Sequence, residues 1–174
     1  MVGHTLKKLT DEQLTHILRD HQTWLHSHGK SGKQADLADT DLEGIDLIGR
    51  NLQKANLKRA RLHATNLSFA DLTMADLRHA DLTKADLSLT CLHGANLSGI
   101  SFQETNLRDA KLSETDLRYS DLTKANDLIE SQLGGANLSG VKLPEGLRVD
   151  DSVAEVGDLA KNAKLVLISG LGDE

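Results

Sequence analysis

Histidines near the N-terminus are the first residues of this chain that could perform chemistry. His16, His21, His26 and His28 lie close together in the sequence. Imidazole is a common zinc ligand, but His26 and His28 could share a metal ion only if the helix expected in this segment has already ended. We interpret the four histidines as polar residues on that helix and predict no metal site.

Carboxylates and one thiol are the other groups that could act on a substrate. Asp71, Asp76, Asp81 and Asp86 recur at intervals of five residues. Acid–base catalysis needs its groups close together, whereas a chain that turns once in every five residues places these four on different faces. Aspartate also stabilises turns, so we interpret them as solvated corner residues. Cys91 has no second cysteine and no motif of a nucleophile, and we interpret it as a surface thiol.

The sequence lacks known catalytic and cofactor-binding motifs, and its composition is not strongly basic. The sequence has no phosphate-binding loop, dinucleotide fingerprint, nucleophile elbow or His-Glu-x-x-His motif. We therefore predict no catalytic residue, no cofactor and no enzymatic activity. The formal charge of −6 argues against direct binding of nucleic acid by neutralisation of phosphates. The N-terminus lacks the apolar segment of a secretory signal, and one cysteine suits the cytoplasm, so we expect a cytoplasmic protein.

Leucine recurs with a period of five along most of the chain. Every fifth residue from Leu37 to Leu122 is leucine, except Phe102. A small residue, most often alanine, lies two positions before most of these leucines, and Asp or Asn lies one position before. A period of five fits neither a helix nor a flat strand, so the chain must turn once per repeat. With only 2% aromatic residues, leucine and alanine must fill the interior.

This Ala-(Asp/Asn)-Leu-x-x consensus, as in Ala70 to Met74 and Ala75 to His79, resembles the pentapeptide-repeat family found in bacteria. The resemblance covers about Ala35 to Leu143. It implies an all-β solenoid, a right-handed quadrilateral β-helix with four repeats per coil. In such a fold the leucine and the small residue point inward, and leucines twenty residues apart stack in columns.

Three departures from the consensus predict local irregularities. Arg50 takes an inward position, so we expect an irregular coil or an escape of its guanidinium at the N-terminal opening, because an unpaired buried charge is costly. Ile100 and Phe102 are larger than the residues that they replace and need extra room. The period slips by one residue after Leu122, which predicts an outward bulge around residues 125–127.

Both ends of a solenoid need covers, because the terminal coils expose unpaired backbone. Residues 1–34 are predicted to form an N-terminal capping α-helix, which begins after a capping box of Thr10 and Gln13 and buries Trp24 on the first coil. Residues 35–147 form the repeat domain. We expect residues 148–174 to form a short C-terminal tail, in which the sequence has a weak helical pattern. The tail resembles a segment that leads into a transmembrane helix in some bacterial relatives, so the chain is either a soluble relative or the soluble part of a longer protein. We expect membrane association only if the natural chain continues.

Surface columns of the predicted solenoid carry two candidate contact sites. One is a basic stripe of Lys58, Arg59, Arg78 and Arg118, with His79 and Tyr119 beside it, which either balances charge or meets an acidic partner or lipid surface. The other is a set of exposed apolar residues, Phe69, Met74 and Leu89, which is typical of a contact surface.

The function predicted from these features is a non-enzymatic scaffold or interaction module with a protein partner, and the apolar set also suggests self-association into a homodimer. The resemblance offers an alternative, since quinolone-resistance members of the family mimic duplex DNA and bind DNA gyrase. With 17 acidic and 12 basic residues between positions 35 and 147, the solenoid is only mildly acidic for that role. The cytoplasmic part of a membrane-tethered protein is a third hypothesis.

Overall fold

Each repeat carries its own β-turn, and this is why the chain changes direction every five residues. In the computed structural model, which describes residues 5–148, the N–H of Ala60 donates to the C=O of Leu57 at 3.0 Å. Arg59, the third residue of that turn, has φ +58°. An i to i+3 hydrogen bond with a positive φ at the third residue is the pattern of a type II turn. The same turn recurs in most repeats.

Four turns complete one coil, and successive coils pair as parallel β-bridges twenty residues apart. Asn56 pairs with Asp76, and Asp76 pairs with Asn96. The N–H of Leu57 donates to the C=O of Asp76 at 2.8 Å. Inside this four-sided ladder every repeat leucine from Leu37 to Leu122, and Phe102, is almost completely buried. The predicted interior of leucine and alanine is therefore present.

The Asp or Asn of each repeat stabilises the corner that follows it. Asp86 Oδ1 accepts the N–H of Ser88 at 2.9 Å, and Asn66 Oδ1 accepts the N–H of Ser68 at 3.1 Å. This contact, from residue i to the N–H of residue i+2, is an Asx turn, which explains why short polar side chains occupy the position. Our interpretation of the aspartates as corner residues is confirmed.

Two of the expected irregularities are absorbed by an otherwise regular ladder. Arg50 is exposed, while its N–H still donates to the C=O of Leu47 and its C=O still accepts from Asp71, so the guanidinium escapes and the coil keeps its shape. Ile100 and Phe102 are 2% and 0% exposed and fit inside the lumen.

The slip in the period takes a different form from a simple bulge. Asn106 pairs with Asn126, twenty residues on, but Asp116 pairs with Asn137, twenty-one residues on. A 3-10 helix, Glu130–Leu133, lies between these two pairs and buries Leu133 in the lumen. The additional residue is therefore accommodated over a longer segment than residues 125–127.

The N-terminal segment contributes a strand and a helix. Strand β1, Lys7–Lys8, pairs in parallel with β2, Thr40–Asp41, on the first coil. Helix α1, Asp11–His26, begins at the predicted capping box: the N–H of Gln13 donates to Thr10 Oγ1 at 3.2 Å, and the N–H of Thr10 donates to Gln13 Oε1 at 2.9 Å.

Helix α1 buries His21 completely, so our interpretation of this histidine as a polar residue of the helix was wrong, and the predicted burial of Trp24 is only partial. His21 is 0% exposed, and its Nδ1 accepts the N–H of Ala35 at 3.0 Å. Trp24 is only half-buried and stacks on the imidazole at 5.8 Å between ring centroids. The reason is chemical, because the first N–H of the coil needs an acceptor and indole offers only a donor. The predicted C-terminal tail lies, apart from its first residue, outside the described residues.

Candidate interaction surface

The exposed positions of the solenoid form straight columns, so residues twenty apart in sequence become neighbours. Each repeat presents to solvent its Asp or Asn and the two residues that follow the leucine. Adjacent coils are about 4.8 Å apart, which brings long side chains of successive coils into contact. Two faces carry the residues that the sequence singled out.

The three arginines of the basic stripe pair with carboxylates of its own face, whereas Lys58 has no ion pair among the described residues. Arg59 Nε lies 2.5 Å from Asp39 Oδ1, the aspartate twenty residues earlier. Arg78 and Arg118 each form an ion pair with the aspartate two residues before them. The distance from the guanidinium nitrogen to the carboxylate oxygen is 2.6 Å to Asp76 and 2.7 Å to Asp116.

This pairing also lowers the pKa of the aspartates that the arginines contact. The hydrogen bond from Arg78 is the main reason that the pKa of Asp76 lies below its ordinary value. The guanidinium of Arg118 has the same effect on the pKa of Asp116. A stripe whose arginines already hold carboxylates has little free charge to offer a partner, which favours the charge-balancing interpretation.

Two of the three predicted apolar residues come together on another face. Phe69 and Leu89 occupy one column, where the N–H of Phe69 donates to the C=O of Ser88 at 3.0 Å. They are 62% and 41% exposed. Ile48, 47% exposed, lies on the same face one coil earlier. We call Ile48, Phe69 and Leu89 the apolar stripe.

Met74 does not join the apolar stripe, although it is 56% exposed. It belongs to the next face, where its side chain lies over Gly94. A Cβ at Gly94 would come within 2.6 Å of Met74 Sδ, so the glycine is what leaves room for the methionine. Sequence reasoning missed Ile48. The twenty-residue register could have found it, because Ile48 lies twenty residues before Ser68, and Ser68 is the neighbour of Phe69 in the sequence.

Acidic side chains surround the apolar stripe. Asp46, Asp86 and Asp109 lie on its face, with Arg108 as the basic residue. Asp46 and Asp86 accept backbone N–H groups at their corners. Within residues 5–148 none of the three carboxylates has a cationic partner, in contrast to those of the basic stripe. The face therefore combines exposed apolar area with a net negative charge.

A histidine between a hydroxyl and a carboxylate occurs on a further face, without the surroundings that catalysis needs. His93 Nδ1 lies 3.0 Å from Ser113 Oγ, and His93 Nε2 lies 3.7 Å from Glu114 Oε2. The side chains of His93 and Glu114 are 44% and 72% exposed, so water has free access to them. Acyl transfer by such a group needs a desolvated site with oxyanion donors. We assign these contacts to the surface structure of the ladder.

The cysteine and the possible metal-ligating residues form no reactive or metal-binding cluster in the described part of the chain. Cys91 is half-buried, and its Sγ lies 3.3 Å from Thr73 Oγ1 of the preceding coil. In the described part of the chain, no group of three His, Cys, Asp or Glu residues could hold a metal ion. No helix between residues 5 and 148 is long and apolar enough to cross a membrane.

Comparisons with known proteins agree with the repeat. The family model described as pentapeptide repeats (8 copies) matches residues 33–68, 60–99, 90–126 and 100–143. No curated protein matches the sequence. A pentapeptide repeat protein from Nostoc PCC 7120 is 24% identical, with a TM-score of 0.53, over 72% of this chain and 93% of that one. At this identity the likeness shows the fold alone, which is a right-handed quadrilateral β-helix.

Two further solved structures are similar. A pentapeptide repeat protein from the thylakoid lumen of Arabidopsis thaliana is 27% identical, with a TM-score of 0.47, over 70% of this chain and 89% of that one. QnrB1, a plasmid-mediated fluoroquinolone resistance protein, is 20% identical, with a TM-score of 0.43, over 70% of this chain and 80% of that one. These likenesses identify no specific target.

Proposed function

Because this chain belongs to the pentapeptide-repeat family, whose fold is generally non-catalytic, we propose that it is a non-enzymatic module that binds a protein partner through the apolar stripe. The observation that carries the proposal is the contrast between two faces. The arginines of the basic stripe hold their own carboxylates, whereas Phe69 and Leu89 are exposed beside aspartates without cationic partners among the described residues.

The chemistry of this face specifies the partner. An exposed phenylalanine and two aliphatic side chains gain free energy when a partner covers them. Asp46, Asp86 and Asp109 favour a partner that carries lysine or arginine around its apolar contact, because opposite potentials steer association and fix its orientation. We therefore propose a protein segment that is apolar at its centre and basic at its margins.

A homodimer through the apolar stripe is the less favoured arrangement. A two-fold dimer brings the same patch of both subunits together. The aspartates of one copy would then face the aspartates of the other, and like charges at an interface cost free energy. Each copy brings only Arg108 as a cation against three aspartates on this face, so the repulsion is offset only in part.

The test is a selection of binding peptides from a random library, with parent protein as bait. We expect the selected peptides to combine apolar residues with lysine or arginine, and to lose at least tenfold in affinity for a Phe69→Ser, Leu89→Ser double variant. Tyr119→Ser is the matched control, since Tyr119 is 74% exposed on the face of the basic stripe. Peptides that bind the double variant as well as the parent, or that lack basic residues, would refute the proposal.

Sedimentation of the parent and of Phe69→Asp decides between a foreign partner and a second copy. We expect a monomer in both cases. A parent dimer that the substitution dissociates would replace the proposed partner by self-association.

Gyrase modulation by mimicry of DNA stays an alternative prediction that rests on family resemblance. A DNA mimic needs continuous negative charge, and the arginines of the basic stripe interrupt it. Gyrase supercoiling measured against increasing protein should stay flat under our proposal, and a protective or inhibitory response would favour the alternative.

We also propose that α1 covers the first coil and that the protein works in the cytoplasm. The contact of His21 with Ala35 and the burial of Leu14 in the leucine core support the first proposal. The second rests on the single cysteine and the composition.

A further inference from the structure

A groove separates α1 from the first coil on the side where Arg50 leaves the lumen. Its volume is about 250 Å³. The helix and the coil both contribute side chains, so the groove exists only while α1 is docked. The lining residues are Thr15, Leu18, Arg19, Gln22, Arg50 and Asn51.

Two arginines line this groove, and neither has a carboxylate partner within the described range. Half of the eight arginines of the sequence do hold a carboxylate. Those that do hold a carboxylate are Arg59, Arg61, Arg78 and Arg118. Two positive charges in one groove repel each other, and an anion between them would turn that repulsion into attraction.

Arg50 is held in place by an intact backbone. Its column holds Ala70, Thr90 and Ala110 in later coils, all of them buried, so a small inward residue would satisfy the fold. The arginine instead extends outward from a rigid rung, which fixes the base of its side chain. A charged residue at this position has no role in packing the lumen.

We propose that the groove binds the phosphate dianion of a small phosphate monoester. Two guanidinium groups supply two positive charges and planar donors that suit phosphate oxygens. Thr15, Gln22 and Asn51 can donate further hydrogen bonds, and a phosphate has more oxygens to receive them than a carboxylate has. Leu18 offers an apolar contact to the organic part of the ester.

The size of the groove limits the ligand. Pockets for drug-sized molecules begin at roughly 300 Å³, and about 250 Å³ is less than that. The ligand is therefore small, and its phosphate could come from a free ion or from an ester. The organic group distinguishes these sources, because only an ester can use Leu18.

Isothermal titration calorimetry with inorganic phosphate and with phenyl phosphate, at constant ionic strength, tests the proposal. We expect both to bind the parent and phenyl phosphate to bind more tightly. Arg50→Ala, which restores the usual residue of the column, and Arg19→Gln should each lower the affinity at least tenfold. Arg108→Gln is the control, since Arg108 also lacks a carboxylate partner in the described part of the chain but lies away from the groove.

Three results would overturn the proposal. The first is the absence of binding heat in the parent, and the second is equal affinity of the parent and Arg50→Ala. The third is an equal loss in Arg108→Gln, which would mean that phosphate responds to general charge. Thermal unfolding of Arg50→Ala without phosphate verifies that the variant folds. Binding to the apolar stripe is measured separately, so either proposal can fail without the other.

Discussion

Acidification from pH 8 to pH 5 should detach α1 from the first coil by charging His21. The imidazole is completely buried, and its Nδ1 accepts the N–H of Ala35 at 3.0 Å. Nε2 is also buried and makes no hydrogen bond of normal geometry among the described residues. A proton on Nδ1 would face the N–H of Ala35, donor against donor, in a site that water does not reach.

The direction of the effect follows from the pKa of His21. Burial lowers this pKa below the ordinary value of 6.5, and a smaller contribution from the backbone of Gln53 opposes the shift. Below pH 6.5 the unfolded segment takes up a proton that the docked segment resists. The contribution of His21 to stability is thus complete above pH 6.5 and is lost as the pH falls towards the folded pKa. One proton sets an upper limit of about 1.4 kcal/mol per pH unit.

Substitutions separate the charge from the hydrogen bond. His21→Leu leaves the N–H of Ala35 buried without an acceptor, which should cost about 1–3 kcal/mol at every pH. His21→Gln keeps an acceptor that does not titrate, so docking should no longer depend on pH in this range.

Fluorescence of Trp24, the only tryptophan, reports the state of α1, since the indole stacks on His21. We expect a transition between pH 8 and 5 in the parent that is absent in His21→Gln. His79→Gln, which removes an exposed histidine from the solenoid, is the matched control and should behave like the parent. If His21→Gln shows the transition of the parent, the buried imidazole is not its cause.

The remaining predictions concern the ladder. Leu77→Ala should lower the free energy of unfolding by about 2–5 kcal/mol in urea, because Leu77 is 0% exposed, while Leu89→Ala should change it by less than about 0.5 kcal/mol. The hydrogen bond from Arg78 lowers the pKa of Asp76, so the contribution of this pair to stability is complete above pH 3.8 and is lost as the pH falls below that value. The decrease in urea midpoint between pH 5 and 2.5 should therefore be smaller in Asp76→Asn than in the parent. An unchanged decrease would contradict this. Lys84 has φ +60°, so Lys84→Gly should raise the melting temperature through relief of up to about 1 kcal/mol of backbone strain. A lower melting temperature would show that the conformational entropy that glycine loses on folding outweighs the relief of strain.

Much of the fold follows from the sequence because burial in a solenoid is periodic. A five-residue period specifies which side chains lie inside, and the Asp or Asn before each leucine specifies the corner. For Arg50 the sequence left two outcomes open, an irregular coil or escape of the guanidinium, because an unpaired buried charge is costly, and the structure shows the second. The capping box of Thr10 and Gln13 is local in the same way and needs no tertiary information.

Features without a period depended on the tertiary structure. Three examples are the pairing of β1 with the first coil, the burial of His21 beside Trp24, and the 3-10 helix at Glu130–Leu133. In each case the five-residue period does not predict which residues come into contact. The same holds for charge. The sequence determined that the basic stripe and the apolar stripe face solvent, but only the positions of neighbouring side chains decided that Arg59 would hold Asp39 while Asp109 would hold no cation of the described chain. The repeat determines which side chains are buried, because exposing leucine to water costs free energy. The contacts among surface side chains differ from one coil to the next, and water competes for them, so only the tertiary structure decides which of them form.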